Sequence, residues 1–280
     1  MPKVKIITDS GAYLEPALLE QYDITVLSQR LVFDQATFRE GVDITPLQFF
    51  KRMMEDPAKP TVSPPPVEEF RQAYERLQKS TDQILVLVSS SHLSATLRVA
   101  QEATYLFLGR CRIAVVDSQT TSLALGILVE AAARAAEAGR LLDDIVRLVR
   151  GMIPHIYVIF FAETLDYLER AGRIGPAQAL LGTLLSIKPM LIIDDGEIIP
   201  QEKVRTTTRA VEKLFEFVAE FSRMDRLAIL ESPLKNDAPL LLERFKLIMP
   251  ERSVPVLHYS PSLACHLGPD AMGVVVYEGI

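Results

Sequence analysis

Short apolar runs alternate along this chain with longer segments in which apolar residues recur every three or four positions. Val4–Thr8 (VKIIT), Ile84–Val88 (ILVLV) and Arg112–Val116 (RIAVV) lack the polar alternation of a half-solvated strand. Runs of that kind belong to a parallel sheet covered on both faces. Between them, Phe70, Ala73, Tyr74 and Leu77 fall at i, i+3, i+4 and i+7, which predicts a helix over Pro66–Gln78. Leu93–Phe107 and Ser122–Ala138 predict two more, the second closed by Gly139. The βαβα order argues for an N-terminal doubly wound parallel-sheet domain.

The pattern changes after Gly151. Six strand-like runs follow: Ile156–Glu163, Met190–Asp194, Glu197–Glu202, Arg226–Glu231, Val254–Ser260 and Gly273–Glu278. Asp195-Gly196, between two of them, is a hairpin signal. The fold class is therefore α/β with two domains, residues 1–152 and 153–280, the second built on a mixed sheet. Asp56–Pro66 (DPAKPTVSPPP) reads as an extended connection held by its proline rings.

Composition narrows the function. The 280-residue chain carries a net charge of −6, which argues against nucleic acid as a partner while leaving room for a small anionic ligand. Cys111 and Cys265 have no CxxC spacing, and His92, His155, His258 and His266 form no metal-ligand pair, so neither a metal nor a cofactor is expected. The N-terminus lacks the basic and apolar regions of a signal peptide. Glu130 and Arg134 interrupt one apolar stretch and Lys188-Pro189 another, so no membrane span is expected and the cytoplasm is the expected compartment.

Candidate chemistry gathers in three polar turns at the carboxyl ends of the first strands, where α/β sheets bind ligands. They are Thr8–Leu14 (TDSGAYL), Ser89–Thr96 (SSSHLSAT) and Asp117–Gly126 (DSQTTSLALG). Any one hydroxyl there serves as an ordinary helix cap. Five hydroxyls between Ser89 and Thr96 are more than capping requires, and at a helix N-terminus they suit a carboxylate or phosphate.

These turns belong to a longer series in register. It comprises Thr8-Asp9-Ser10, Thr61-Val62-Ser63-Pro64, Ser90-Ser91-His92-Leu93-Ser94-Ala95-Thr96 and Asp117-Ser118. Ala171-Gly172-Arg173-Ile174, Ile187-Lys188-Pro189 with Asp195-Gly196, Lys203-Val204-Arg205 and His266-Leu267-Gly268-Pro269-Asp270 complete it. The series resembles the DegV family, whose pattern has TDS, TSQP, SSxLSGT, DS, GGRI, a Lys-Pro…Asp-Gly…Arg run and HxGPG. The resemblance implies a long-chain fatty acid held in a tunnel between the two domains. It also implies a separate fatty acid kinase subunit that receives the presented carboxylate and forms an acyl phosphate. On it, Thr61, Ser63, Ser90, Ser94, Thr96 and His266 are the head-group residues, with Arg173 and Arg205 supporting them or facing the partner. The chain departs from the pattern at Val62-Ser63, Ala95, Ala171 and Asp270. Ala95 demands a negative φ, and Asp270 adds a negative charge near an anion site.

A lipid ligand is physically reasonable, since roughly fifteen methylenes at about 0.8 kcal/mol each supply on the order of 12 kcal/mol before binding costs. Other readings of the same residues stand beside it. Ser94 and His266 are parts of a serine hydrolase, although no GxSxG elbow is present. A lipid carrier or sensor without a kinase would share the pocket. A phosphate-cradling loop (GxGxxG or GxxxxGK[ST]) is absent, so no catalytic residue and no kinase activity are assigned to this chain. His266 also reads as a core histidine bonded to backbone. If it donates directly to the anion, the anion is expected to favour imidazolium over the opposing effect of burial. The AAARAAEAG run reads as plain helix propensity.

Overall fold

In the computed structural model, which describes residues 3–56, 58–173 and 187–279, the first apolar run forms β1 (Lys5–Asp9) and leads through helix α1 (Pro16–Tyr22) to β2 (Thr25–Leu27). A hairpin follows, β3 (Arg30–Phe33) and β4 (Ala36–Arg39), then α2 (Pro46–Glu55) and β5 (Thr61–Ser63). Next come α3 (Val67–Leu77), β6 (Gln83–Val88), α4 (Thr96–Ala103), β7 (Arg112–Asp117), α5 (Ser122–Glu137) and α6 (Leu142–Met152). Four of these strands form a parallel sheet in the order β2-β1-β6-β7. Ile7, Ile84, Val86 and Val88 face α3 and α4, where Phe70, Tyr74 and Ala100 cover them. Ile6, Leu85, Leu87 and Val116 face the core formed with α5 and α6. With helices on both faces, the strand centres are apolar at consecutive positions, as the runs predicted.

A second, three-stranded antiparallel sheet has the order β4-β3-β5. It uses part of the proline-rich connection as β5, paired with β3 through Val62 and Leu31. The helix expected over Leu93–Phe107 is shorter than its apolar pattern. Leu93 and Ser94 N–H groups donate to Ser90 O, so the chain turns before α4 begins at Thr96. The last turn, Thr104–Phe107, is 3₁₀.

The later strands are β8 (Ile156–Phe161), β9 (Lys188–Asp194), β10 (Glu197–Val204), β11 (Arg226–Glu231), β12 (Val256–His258) and β13 (Met272–Tyr277). Helices α7 (Asp166–Arg170), α8 (Thr207–Ala219), α9 (Ala238–Ile248) and α10 (Pro261–Leu267) lie between them in sequence. The sheet order is β10-β9-β8-β13-β11-β12, antiparallel except for the β11–β12 pair, hence mixed. Asp195 (φ 46°) and Gly196 (φ 84°) make the β9–β10 turn with the positive dihedrals of a two-residue hairpin.

One face of the mixed sheet, including Ile159, Phe161, Ile229 and Val274, packs on Leu214 and Val218 of α8 and Leu241 and Phe245 of α9. The other face carries Val158, Phe160 and Val275 into the core shared with the first half. Helix α5 touches β1 and also β8 and β13. Its alanines are buried for that reason: Ala124, Ala132, Ala133, Ala135 and Ala136 are all covered. Small side chains let one helix lie close to two sheets, so the alanine run answers a packing need and not propensity alone. Helix α6 ends at Met152, a 3₁₀ turn spans Ile153–His155, and β8 begins at Ile156.

Candidate functional site

The turns after β1 and β6 meet at a buried carboxyl group. Asp9 is fully buried. Its Oδ1 accepts from Gly11 N (2.8 Å), Gln29 Nε2 (2.9 Å) and Ser89 Oγ (2.8 Å), and its Oδ2 accepts from Ser89 N (2.8 Å). Burial pushes its pKa up, and these donors pull it back. A side chain at Gly11 would stand 2.4 Å from Ser89 Oγ and 2.7 Å from Asp9 Oδ1, so only glycine lets the two turns close.

Opposite them lies α10, a seven-residue helix whose residues are all buried. Ser260 caps it through Leu263 N. Glu40, which follows β4, reaches across: its Oε1 accepts from Ser262 N (2.8 Å) and its Oε2 from Ser10 Oγ (2.6 Å). Burial raises this carboxyl to about 7. Tyr259 donates to Gly268 O (2.8 Å) and so ties the helix's entry to its exit.

Between α10 and the turns is a cavity of about 10 Å3, room for one water molecule. Its polar wall is Gln29, Ser89, Ser94, Thr121, Ser262 and His266; Val62, Leu93 and Leu263 supply the apolar wall. His266 is 3% exposed. Burial, then the nearby Arg173 charge, lowers its pKa to about 4, while a hydrogen bond to the Leu93 backbone acts the other way. The ring is neutral, and its Nδ1 has no partner among the described residues. Desolvation and the Arg173 charge disfavour the imidazolium in this arrangement; the imidazolium expected from sequence is that of a ring donating directly to an anion. Beyond Leu263 a second cavity of about 10 Å3 is lined by Val158, Phe160, Leu230, Leu267 and Met272, with Tyr259 at its edge.

The predicted residues separate into groups. Ser94 and His266 line the polar cavity together. Thr96 is fully buried beside them, its hydroxyl 2.7 Å from Ser94 Oγ. Ser90 is placed otherwise: its hydroxyl donates to Gly196 O (2.6 Å) and joins the β6 turn to the β9–β10 hairpin. A side chain at Gly196 would stand 2.5 Å from Ser90 Oγ. Thr61 and Ser63 flank Val62 on β5; Val62 lines the cavity and its two neighbours do not. Arg173 is half-buried and acts on His266 through its charge. Arg205 is exposed just past β10 and lines neither cavity. Ile174 of the Ala-Gly-Arg-Ile match lies outside the described residues.

The departures from the family pattern are accommodated. Ala95 has φ −75°, which alanine adopts without strain. Asp270 pairs with Lys235 at 2.9 Å, so its charge is compensated. Sequence reading missed Gln29 and Ser262. Gln29 had no signal, because a lone glutamine after a short strand has no pattern. Ser262 follows the Ser260-Pro261 pair, a helix-start signature that would have marked α10.

The parts of a hydrolase are incomplete here. Ser94's hydroxyl meets Thr96, and among the described residues no carboxylate bonds the His266 ring. No group of three or more metal-ligating side chains occurs among the described residues, and no described helix is long and apolar enough to cross a membrane. A cleft of about 610 Å3 is open and runs past Asp117, Arg150, Tyr157 and Asp195; none of the predicted site residues lines it.

Comparison with known proteins gives a consistent answer. A DegV domain-containing protein of Streptomyces coelicolor is 34% identical over 288 residues, covering 98% of each chain. The structure of a DegV family protein from Thermus thermophilus, reported for its fatty acid binding, superposes with TM-score 0.86 at 30% identity over 99% of this chain and 100% of that one. The fatty acid binding DegV family protein of Streptococcus agalactiae gives 0.91 at 27% identity, with both chains fully covered. The model of the "Uncharacterised protein, DegV family" group matches residues 3–279; with the α/β architecture and these relatives, this chain belongs to the DegV family.

Proposed function

We propose that this protein binds a long-chain fatty acid, with the carboxyl group in the polar cavity and the acyl chain beyond Leu263. The carrying observation is the juxtaposition of two cavities of opposite character that share one residue, Leu263. One offers hydroxyls and an unpartnered histidine nitrogen, and the other offers only apolar walls and a tyrosine edge. An amphiphile satisfies both. Relatives of the same fold that bind fatty acids support the reading. Each cavity is small, so the chain enters by repacking Leu263 and the neighbouring apolar side chains. Native mass spectrometry of the purified protein, followed by organic extraction, tests the proposal. A retained or added C16–C18 fatty acid at one per chain is the expected result; no retention, and no binding on addition, overturns it.

Ser94, Thr96 and His266 are the head-group residues in this reading, with Thr61 and Ser63 on the neighbouring strand and Ser90 holding the turn. Residues 1–152 and 153–280 act as the two units that enclose the ligand. The protein presents the acid to a cytoplasmic fatty acid kinase in trans and does no chemistry itself. Arg205, exposed and lining neither cavity, is the residue to test for partner contact. A pulldown from the native source identifies the kinase or leaves a carrier role in its place.

A further inference from the structure

We infer that the head-group cavity accepts an uncharged, hydrogen-donating head group, so that a fatty acid binding at neutral pH takes up one proton. This rests on the fatty-acid reading above and adds the ionisation state of the ligand.

Two polar atoms on this cavity's wall residues are acceptors that lack a donor among the described residues: His266 Nδ1 and Gln29 Oε1. Both residues are buried, at 3% and 1% exposure. Their orientation follows from their other bonds. Gln29 directs its amide nitrogen to Asp9 Oδ1 at 2.9 Å, and turning the amide over would set oxygen against a carboxyl oxygen. The Leu93 backbone favours a hydrogen on the His266 ring nitrogen that it faces, and Nδ1 is the nitrogen without a partner among the described residues. A backbone carbonyl only accepts, so that ring nitrogen carries the hydrogen and Nδ1 presents a lone pair. A carboxylate brings acceptors alone and would meet these lone pairs without a donor. A carboxylic acid brings one of each: its O–H donates to His266 Nδ1, and its carbonyl accepts from a hydroxyl such as Ser94.

The acidic groups around the cavity point the same way, whereas the Arg173 guanidinium keeps the ring neutral and would itself favour an anion. Arg173, following α7, is the charge that acts on His266 and discourages a proton on the ring. Asp9 stands behind Gln29 and Ser89, and Glu40 behind Ser262, so an added anion would face two acidic groups. Cys265 on α10, Tyr259 before it and Tyr167 of α7 hold their protons at neutral pH, because burial raises all three. Asp270 is paired with Lys235. Free fatty acid and free His266 are both unprotonated near pH 7, whereas the hydrogen-bonded pair holds one proton. Burial of a carboxyl group favours that state.

Titration calorimetry of the intact chain with hexadecanoic acid near pH 7.5, in buffers of different ionisation enthalpy, counts the proton. About one proton taken up is expected, with affinity falling roughly tenfold per pH unit between about pH 6.5 and 8.5. Hexadecanamide should bind with no pH dependence, and hexadecane-1-sulfonate, which carries no proton, should bind at least about a hundredfold more weakly than the acid. Hexadecanoic acid that binds without proton uptake, or a sulfonate that binds as well as the acid, overturns the inference and means that the anion is held instead, with Arg173 the nearest candidate. Failure of acid and amide alike to bind overturns the fatty-acid reading itself.

Discussion

The two cavities on either side of Leu263 are alike in size and opposite in construction. The polar one is walled by turns from the parallel sheet and closed by α10. Its groups are held by a second layer of carboxyls, Asp9 behind Ser89 and Glu40 behind Ser262. The apolar one is walled by β8, β11 and β13, with almost no polar atom to orient. Precision is built where hydrogen bonds must be met, and deformability where only area must be buried. An apolar wall tolerates repacking at a cost of about 1–3 kcal/mol, whereas a displaced buried donor costs its full desolvation.

The sharpest way to break this contrast is Phe160→Ala. It should destabilise the protein by about 3–5 kcal/mol in denaturant unfolding, and hexadecanoic acid should restore part of the loss by filling the space. No restoration would remove the apolar cavity from the tail's path. Next is the pH response of the layer behind the polar wall. Glu40 is raised from 4.5 to about 7 by burial. The folded chain thus holds a proton that the unfolded chain has shed, and stability falls as pH rises through that window. Glu40→Gln should remove this slope, changing the wild-type-minus-variant stability by about 3 kcal/mol between those limits.

His266 runs in the opposite sense. Its pKa is lowered from 6.5 to about 4, so its contribution is lost as pH drops through that range, and His266→Gln should show the mirror-image difference. Parallel profiles for the two variants in urea melts would contradict both assignments. A smaller effect separates two serines of one turn. Ser94→Ala should weaken hexadecanoic acid binding about three- to tenfold, as for a neutral hydrogen bond of about 1 kcal/mol. Ser90→Ala should lower stability by a similar amount, because Gly196 O loses its donor, and leave affinity nearly unchanged. Equal affinity losses in both would erase the distinction drawn between them. Smallest of all, Arg205→Ala should leave fatty-acid affinity unaltered and register only in binding to a partner.

Much of the architecture could be read in advance wherever burial is two-sided. Ile84–Val88 is apolar throughout because both faces are covered, and β6 follows it closely. The small sheet of β3, β4 and β5 escaped notice. Its strands have three or four residues, and Thr61–Ser63 lies among prolines whose signal is extended chain, with nothing to reveal a partner strand. In the site, hydroxyl density marked the right turn but could not apportion its members. Ser90 and Ser94 are four positions apart in one motif, yet one hydroxyl meets a hairpin from the far half and the other faces the cavity. Val62 illustrates the same limit, since only the register of β5 against β3 decides which residue of Thr61-Val62-Ser63 looks inward. Glu40 and Gln29 act through tertiary contacts that no local pattern encodes.

Helix α5 and strand β13 together set a timetable for synthesis. By the time α5 leaves the ribosome, β1 is available to cover one side of it, but β8 and β13 are not yet made. β13 is the latest strand in the chain among those described, yet it occupies an interior position in its sheet, between β8 and β11. Until it arrives, β8 and β11 each lack a neighbour and the far side of α5 is uncovered. The nascent chain therefore carries exposed apolar surface and open strand edges for much of its translation, the condition under which chaperones engage and aggregation competes. Its final assembly waits on one six-residue insertion.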